Sequence, residues 1–282
     1  MPGTLFVVAT PIGNLEDITA RALRVLGEVS LIAAEDTRRT AHLLARYAIT
    51  TPMTSLHEHN EEKKGASLVG RLRHGESIAL VSDAGTPTVS DPGHRFIAAA
   101  IEAGIRVEPI PGPSAALAAL AVSGLPTDTF LFLGFPPVKA KDRFEWFEAL
   151  RSATRTVVFF EAPHRIRATL EQILAVVGDC QVAIGRELTK AHEELVRGPI
   201  SEVMRGLVAA RGEFTVVIDI GHMTNNIPIE PACDIDIAGE FGELTKTKGL
   251  RRREAIARVA RRHGRTSNDV YAAIERTKKL VE

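Results

Sequence analysis

Val81-Ser-Asp-Ala-Gly-Thr-Pro-Thr-Val-Ser-Asp-Pro-Gly93 is the stretch on which the fold turns. A short apolar run, Ser77 to Val81, leads into it, and a helix-like run, Arg95 to Ala103, leaves it. The order is strand, polar loop, helix. Asp83, Gly85, Thr86, Pro87, Ser90, Asp91, Pro92 and Gly93 are turn formers or small polar residues. A segment that only connects needs about 4 to 6 residues. This one is longer, and it stands at the carboxyl end of an expected strand, where open α/β sheets take up ligands. It reads as a ligand loop rather than a solvated connection.

The same alternation extends in both directions. Before the loop, Thr4 to Ala9 is a continuous apolar run, as a strand buried on both faces requires. An amphipathic helix (Ile18 to Leu26), a strand (Val29 to Ala34), a helix to about Tyr47, a short strand (Met53 to Leu56) and an exposed polar helix (Glu58 to His74) follow. After it come a strand, Arg106 to Ile110, and a helix from Pro111-Gly-Pro-Ser114 to Ser123. That helix is apolar on nearly every side and is expected to be buried, with Ser114 or a neighbour as a cap. Gly124 to Asp128 breaks the pattern, so the first domain is placed at 1–123. A second set of strands and helices fills 124–220, 221–240 is read as a linker, and 241–282 as a basic helical tail. Alternation of this kind predicts an α/β fold of two domains, each a mostly parallel or mixed sheet flanked by helices.

Charge supports a distinct tail. The whole chain is neutral, yet Thr245 to Glu282 holds twelve Lys or Arg against four Asp or Glu, a net +8 that leaves −8 on the preceding residues. Ile256, Val259 and Ala260 share one face of the first tail helix while arginines occupy much of the other, and Thr266 to Ile274 begins a second helix. The pattern is consistent with nucleic-acid contact, or with a solvated or dimer-packing basic pair. Cys180 and Cys233 are far apart, with no Cys-x-x-Cys spacing, and fit a reducing cytosol. The start of the chain lacks the basic n-region of a signal peptide, and the longest apolar run, Ala115 to Val122, is far short of a membrane span. A cytoplasmic protein is expected.

No P-loop, Rossmann glycine fingerprint, Gly-x-Ser-x-Gly elbow or His-Glu-x-x-His motif occurs. His57 and His59 would share a face of an extended segment, but no third ligand is in sight and no metal is expected. Small-residue loops at strand ends remain: 10–15, 35–38, 57–61, 82–93, 111–115, 161–165 and 186–190. Their backbone donors, hydroxyls and few carboxylates suit a neutral or cationic nucleoside-like cofactor, and transfer of a pre-activated group needs mainly proximity and alignment.

Seven motifs occur in order: Val8-Ala-Thr-Pro-Ile-Gly-Asn-Leu-Glu-Asp-Ile-Thr19, Ala34-Glu-Asp-Thr-Arg38, His57-Glu-His-Asn60, Ser82-Asp-Ala-Gly-Thr-Pro87 with Ser90-Asp-Pro-Gly93, Pro109-Ile-Pro-Gly-Pro-Ser-Ala115, Phe160-Glu-Ala-Pro-His-Arg165 and Arg186-Glu-Leu-Thr-Lys190. Across residues 3–220 they resemble the tetrapyrrole methylase family, in its branch acting on small-subunit ribosomal RNA. The resemblance implies S-adenosylmethionine in an inter-domain cleft, a homodimer, and 2′-O-methylation of a cytidine in the decoding region of 16S ribosomal RNA. It implies cofactor contacts from Pro11, Ile12 and Gly13, from Asp83, Gly85, Thr86 and Val89, and from Ser114 and Ala115. On the adenine side it implies Phe160, Glu161, Leu188, Glu213, Phe214 and Thr215. Two positions depart from the family pattern: Arg39, often His or Asn, and His192, usually an aromatic.

A neutral ribose hydroxyl is a weak nucleophile, so a base is sought, and Asp83, His57, Glu58 and Glu161 are the candidates. Arg38, Arg165 and Lys190 in the motif loops, with Arg251, Arg252 and Arg253 in the tail, could hold phosphates, or the first three could pair with Glu35, Glu161 or Glu187. A small-molecule methyltransferase and a non-catalytic ribosome-assembly factor are the alternatives. The basic tail speaks against the first. The scarcity of aromatics, 5% of the chain, speaks against the second, because single-strand RNA binders commonly present aromatic platforms.

Overall fold

A computed structural model of the chain describes residues 1–151, 153, 155–207, 212–220, 234–246, 251–262 and 266–279. It divides into two compact units, Met1–Gly221 and His222–Glu282.

The larger unit contains two sheets. The first is wholly parallel, with strands β1 (Thr4–Val8), β2 (Leu31–Ala34), β3 (Met53–Ser55), β4 (Ile78–Val81) and β5 (Arg106–Ile110) in the order β3-β2-β4-β1-β5. Helices α1 (Ala20–Glu28) and α2 (Thr37–Arg46) cover one face, and α3 (Glu61–Arg73) and α4 (His94–Glu102) cover the other. Period-two alternation separates the two cores. Val8, Ile32, Ala34, Ala79, Val81 and Ile110 pack under α1 and α2, while Leu5, Leu31, Ala33, Ile78 and Leu80 pack under α3 and α4. This burial on both faces explains the unbroken apolar runs of β2 and β4. Helix α3 is not the exposed element its polar sequence predicted. Gly65, Leu68, Val69 and Leu72 are buried at helical spacing, and the polar residues form only its outer face. The buried Glu61 carboxylate accepts the backbone N–H groups of Arg95 (2.8 Å) and Phe96 (3.1 Å), and so caps α4.

The second sheet is mixed, in the order β6-β7-β10-β8-β9, from β6 (Phe130–Phe132), β7 (Thr156–Glu161), β8 (Gln181–Arg186), β9 (Glu194–Pro199) and β10 (Phe214–Asp219). Only the β6–β7 pair is parallel. Helices α6 (Ala140–Arg151), α7 (Ile166–Val177) and α8 (Ile200–Gly206) belong to this half. So does α5 (Ala115–Ser123), which the sequence placed at the end of the first domain. Its Ala116, Ala119 and Leu120 pack on Val158, Ala183 and Val217 of the second sheet. Ser114 caps it by accepting the Leu117 N–H, as expected. The expectation of all-round burial is corrected, because Leu117 and Val122 are exposed.

The smaller unit holds α9 (Asp234–Lys246), α10 (Arg252–Arg262) and α11 (Ser267–Lys279) around a core of Ile237, Leu244, Ala255, Val259, Ala260, Val270, Ala273 and Ile274. The expected linker is therefore corrected over its last part. Residues 221–233 lie outside the described residues, but Asp234 onward is helix because Ile237, Phe241 and Leu244 recur on one face despite Gly239 and Gly242.

Candidate active site

The cleft lies where the first sheet changes winding direction. From β1 the chain crosses to β2 on one side, and from β4 it crosses to β5 on the other. The loops after β1 and β4 therefore flank the topological switch point. They are tied together: Thr10 N–H donates to Gly85 O (2.8 Å) and Gly85 N–H to Thr10 O (3.0 Å). The Thr10 hydroxyl adds a bond to Ser82 O (3.1 Å). Within the loop Thr88 (φ 72°) and Ser90 (φ 68°) take left-handed backbone conformations that a β-branched or bulky residue rarely adopts. Such strain concentrates at ligand sites, and the rigid β1 pairing on one side with the α4 cap on the other holds it here.

The cleft encloses about 350 Å³, in the range of small-molecule sites. The first half contributes Ile12, Glu35, Arg39, Asp83, Gly85, Thr86, Val89, Asp91, Ser114 and Ala115 among others. The second half contributes Phe135, Phe160, Glu161, Leu188, Glu213, Phe214 and Thr215. Of the residues expected on the cofactor, Pro11 and Gly13 are absent from this lining. Gly13 instead faces the second half: a side chain there would meet Lys190 Cγ at 2.5 Å and Leu188 O at 2.9 Å. Next to it Asn14 N–H donates to Thr189 Oγ1 (3.0 Å). The 186–190 loop, with Glu187 (φ 49°) and Thr189 (φ 66°) in the left-handed region, thus closes directly on the first loop of the chain.

Electrostatically the cleft is acidic. Asp83 accepts the Asp36 N–H at Oδ1 (3.0 Å) and stands 3.5 Å from the Arg39 guanidinium. Its own N–H donates to Glu35 Oε2 (3.2 Å). Burial pushes the Glu35 carboxyl up, and the neighbouring Asp83 and Asp36 charges reinforce this against the Asp83 N–H bond and Arg39. Asp91 rises further, to about 6. Burial leads, the Glu35 and Asp83 charges add to it, and the Ser82 hydrogen bond opposes it. Neither Glu35 nor Asp91 was singled out for chemistry from the sequence. Both sit in motifs that were read there, but only their burial beside Asp83 separates them from ordinary turn carboxylates.

The four expected bases separate clearly. Asp83 lines the cleft. His57 and Glu58 do not, because β3 is the edge strand and β2 stands between it and β4. His57 N–H and its Nε2 are both engaged by the Asn60 side chain (2.9 and 3.0 Å), and Glu58 is exposed. Glu161 borders the cleft, yet its buried carboxylate is consumed internally. It accepts the Thr169 hydroxyl (2.5 Å) and the Ala162 N–H (2.8 Å), with Arg165 Nε at 3.3 Å and Arg143 Nη1 at 3.8 Å. It is the shared counter-ion of those two arginines.

The expected phosphate contacts in the motif loops are likewise occupied within the chain. Arg38 forks onto Asp36 (3.1 and 2.7 Å), not onto Glu35, and holds that carboxyl well below its ordinary range. Arg165 pairs with Glu161 and donates to Pro136 O (2.7 Å). Lys190 bridges Glu187 (3.0 Å) and Glu213 (3.1 Å); burial would pull its ammonium down, and those two bonds outweigh it. In the tail, Arg251 and Arg253 are exposed, while Arg252 bonds Glu275 (2.8 Å) and lies over the Tyr271 ring at 5.4 Å.

These features define an α/β protein with an acidic, nucleoside-sized cleft between two dissimilar sheets. The family model of tetrapyrrole (corrin/porphyrin) methylases matches residues 4–204, and the chain belongs to that family. It is 44% identical over 271 residues to a protein of Halalkalibacterium halodurans called ribosomal RNA small subunit methyltransferase I, covering 95% of this chain and 93% of that one. The Bacillus subtilis protein of the same name is 42% identical, with 96% and 94% covered. Among solved structures, Thermus thermophilus uroporphyrin-III C-methyltransferase complexed with S-adenosylhomocysteine superposes with a TM-score of 0.56 at 20% identity, covering 79% of this chain and 99% of that one. Diphthine synthase superposes at 0.61 and 16% identity, covering 77% and 90%. At such identities the superpositions speak to fold alone.

Proposed function

We propose that this chain is an S-adenosylmethionine-dependent methyltransferase of small-subunit ribosomal RNA, acting on the 2′-hydroxyl of a cytidine in the decoding region. One observation carries the reading. In a chain more than 40% identical over nearly its whole length to proteins named for that RNA, motif loops from both halves line a single cleft where Glu35, Asp83 and Asp91 gather. An acidic, largely desolvated cleft favours a cationic sulfonium over a neutral or anionic ligand. When bound, the cofactor supplies an electrophilic methyl group. The residues that would hold it are Ile12, Asp83, Gly85, Thr86, Val89, Ser114 and Ala115 on one side, with Phe160, Leu188 and Glu213–Thr215 on the other. Their task is alignment and exclusion of water, and positioning of this kind supplies much of the rate in transfers of an activated group.

Small ribosomal subunits from a strain lacking this enzyme, incubated with the protein and radiolabelled cofactor, are expected to take up one methyl group. Mapping by reverse-transcription stops at low nucleotide concentration should place it on a decoding-region ribose. Label on a base, or none on RNA, removes the reading. With the small subunit as substrate, the cytoplasm is the compartment this reading expects. A second copy of the chain is the protein partner in this reading, and sedimentation should report a dimer.

The tail supplies phosphate contacts in this reading. Arg251, Arg252 and Arg253 crowd the start of α10, the positive end of its dipole, where cations cost stability unless an anion meets them. Replacing the exposed Arg251, Arg253 and Arg258 by alanine in the full chain should weaken subunit binding uniformly across RNA sequences. It should also reduce the slope of log affinity against log salt by about 2 to 3, at about 0.7–0.9 per phosphate contact. Titrations between 50 and 200 mM salt read this; an unchanged slope assigns the arginines to another role.

A further inference from the structure

We infer that Phe135 and Asp91 form the subsite for the target nucleoside, in which the Phe135 ring stacks on an unpaired base and Asp91 accepts the proton of its ribose hydroxyl. The inference deepens the methyltransferase reading and rests on it. Phe135 lines the cleft while remaining 54% exposed, an unusual state for a phenylalanine beside a small-molecule site. It ends an aromatic row that climbs out of the second half. Phe132 meets Phe160 edge-on at 5.1 Å, and Phe160 meets Phe135 at 5.4 Å. The row is fixed by backbone bonds that prolong the β6–β7 pairing, Leu133 N–H to Val158 O (2.9 Å) and Phe160 N–H to Gly134 O (2.8 Å). A ring fixed in this way and more than half exposed offers the stacking surface that an extruded base requires.

The hydroxyl end lies alongside. Gly134 takes a left-handed φ of 60°, and a methyl group there would come within 3.0 Å of Ser90 Oγ. The residue before Phe135 therefore touches the residue before Asp91, and both side chains line the same cleft. Asp91 differs from the other acids lining the cleft: Glu35, also buried and pushed up, is already bonded to the Asp83 N–H. Glu161 is consumed by Arg143, Arg165 and Thr169, Glu213 is bonded to Lys190, and Asp83 is held by Arg39 and the Asp36 N–H. Among the described residues Asp91 is met by the Ser82 hydroxyl, and burial, with the like charges of Glu35 and Asp83, raises its proton affinity toward neutrality, as a general base requires. In the transfer, the new bond joins the ribose oxygen to the methyl carbon. The electron pair of the broken carbon–sulfur bond stays on sulfur, and the hydroxyl proton passes to an Asp91 oxygen.

The test uses full-length protein, small subunits lacking the methyl group, and calorimetric titration of cofactor without RNA. Phe135→Ala should raise the KM for subunits about 10-fold or more, as loss of a base stack does, and Phe135→Trp should restore it. Asp91→Asn should lower kcat about 100-fold or more with the subunit KM unchanged. It should also abolish the fall in wild-type kcat/KM as pH drops through about 6, where Asp91 protonates. Glu35, Asp83 and Arg39 from the first half, with Glu161 and Glu213 from the second, remain to set any residual profile. Cofactor affinity should stay within about threefold in both Phe135 variants and fall by less than about 10-fold in Asp91→Asn, which removes one of the acid charges of the cleft, and the thermal midpoint of Asp91→Asn at pH 7.5 should equal or exceed wild type. Cofactor affinity lost 10-fold would make these cofactor residues and overturn the inference. So would wild-type kinetics in either variant, or a melt showing that Asp91→Asn unfolds. Absence of methyl transfer by the wild type would instead sink the parent reading.

Discussion

Thr86→Arg is expected to raise the dissociation constant for S-adenosylmethionine by about 100-fold or more, about 2.7 kcal/mol, while leaving the fold intact. Thr86 stands in the cleft on the loop that carries Asp83, and its hydroxyl donates to Pro113 O (3.3 Å) on the loop that carries Ser114. A guanidinium on a three-carbon stem projects into a space of about 350 Å³ and occupies much of it. Electrostatics act in the same sense. The introduced cation pairs with Asp83 or Asp91 and cancels the field that would favour a sulfonium. Because Thr86 is only half-buried and its φ is unstrained, circular dichroism and the melting temperature should be near those of wild type. Calorimetry decides: binding within threefold of wild type would put the cofactor elsewhere.

Glu161→Ala should be the most destabilising single substitution in the second half, at about 3–5 kcal/mol. The carboxylate is fully buried and is the shared counter-ion of Arg143 and Arg165, whose side chains are only 14% and 21% exposed. Burial and the neighbouring Arg165 charge already pull the Arg143 guanidinium down, with Glu161 opposing them. Removing Glu161 leaves two desolvated cations side by side and strands the Thr169 hydroxyl and the Ala162 N–H. Urea unfolding should show a lowered midpoint at unchanged slope, and a thermal midpoint on the order of 10 °C lower. Glu161→Gln keeps hydrogen-bonding capacity and loses charge, so it should fall between the two. A loss below about 1 kcal/mol would show that water or the Pro136, Pro137 and Gln172 oxygens already satisfy both arginines.

Strand and loop order was legible because β1, β2 and β4 are largely apolar runs followed within three residues by Pro11, Asp36 and Asp83. What escaped the sequence was lateral position. Nothing in Met53–Ser55 marks β3 as an edge strand, so His57 and Glu58, in as motif-like a segment as Asp83, were read as candidates for a cleft they do not line. The acids tell a related story. Asp91 looks in sequence like one more turn former, and Glu161 like a reactive carboxylate in a motif. Desolvation beside like charges makes the first a plausible base, and two buried arginines make the second a scaffold. Phe135 was hidden by composition: with so few aromatics no platform was expected, and only β6–β7 pairing shows that one ring of the row faces outward. Tail helix α9 was missed because two glycines lowered its helical signal below that of the core it joins.

The packing of α5 on the second sheet carries a mechanical consequence. The first sheet is complete at Ile110, and everything from Ala115 to Asp219 that forms α5 or a strand belongs to the second. The chain passes between the halves once, through Pro111-Gly-Pro-Ser114, with the cleft floor at its end. Two proline rings fix φ on either side of Gly112, so the crossing has few torsions with which to bend. A methyl group on Gly112 would itself press on the Ala9 side chain at 3.0 Å. The two halves are thus held in one setting by a stiff single strap, and the close approach of Gly13 to Lys190 ties them a second time.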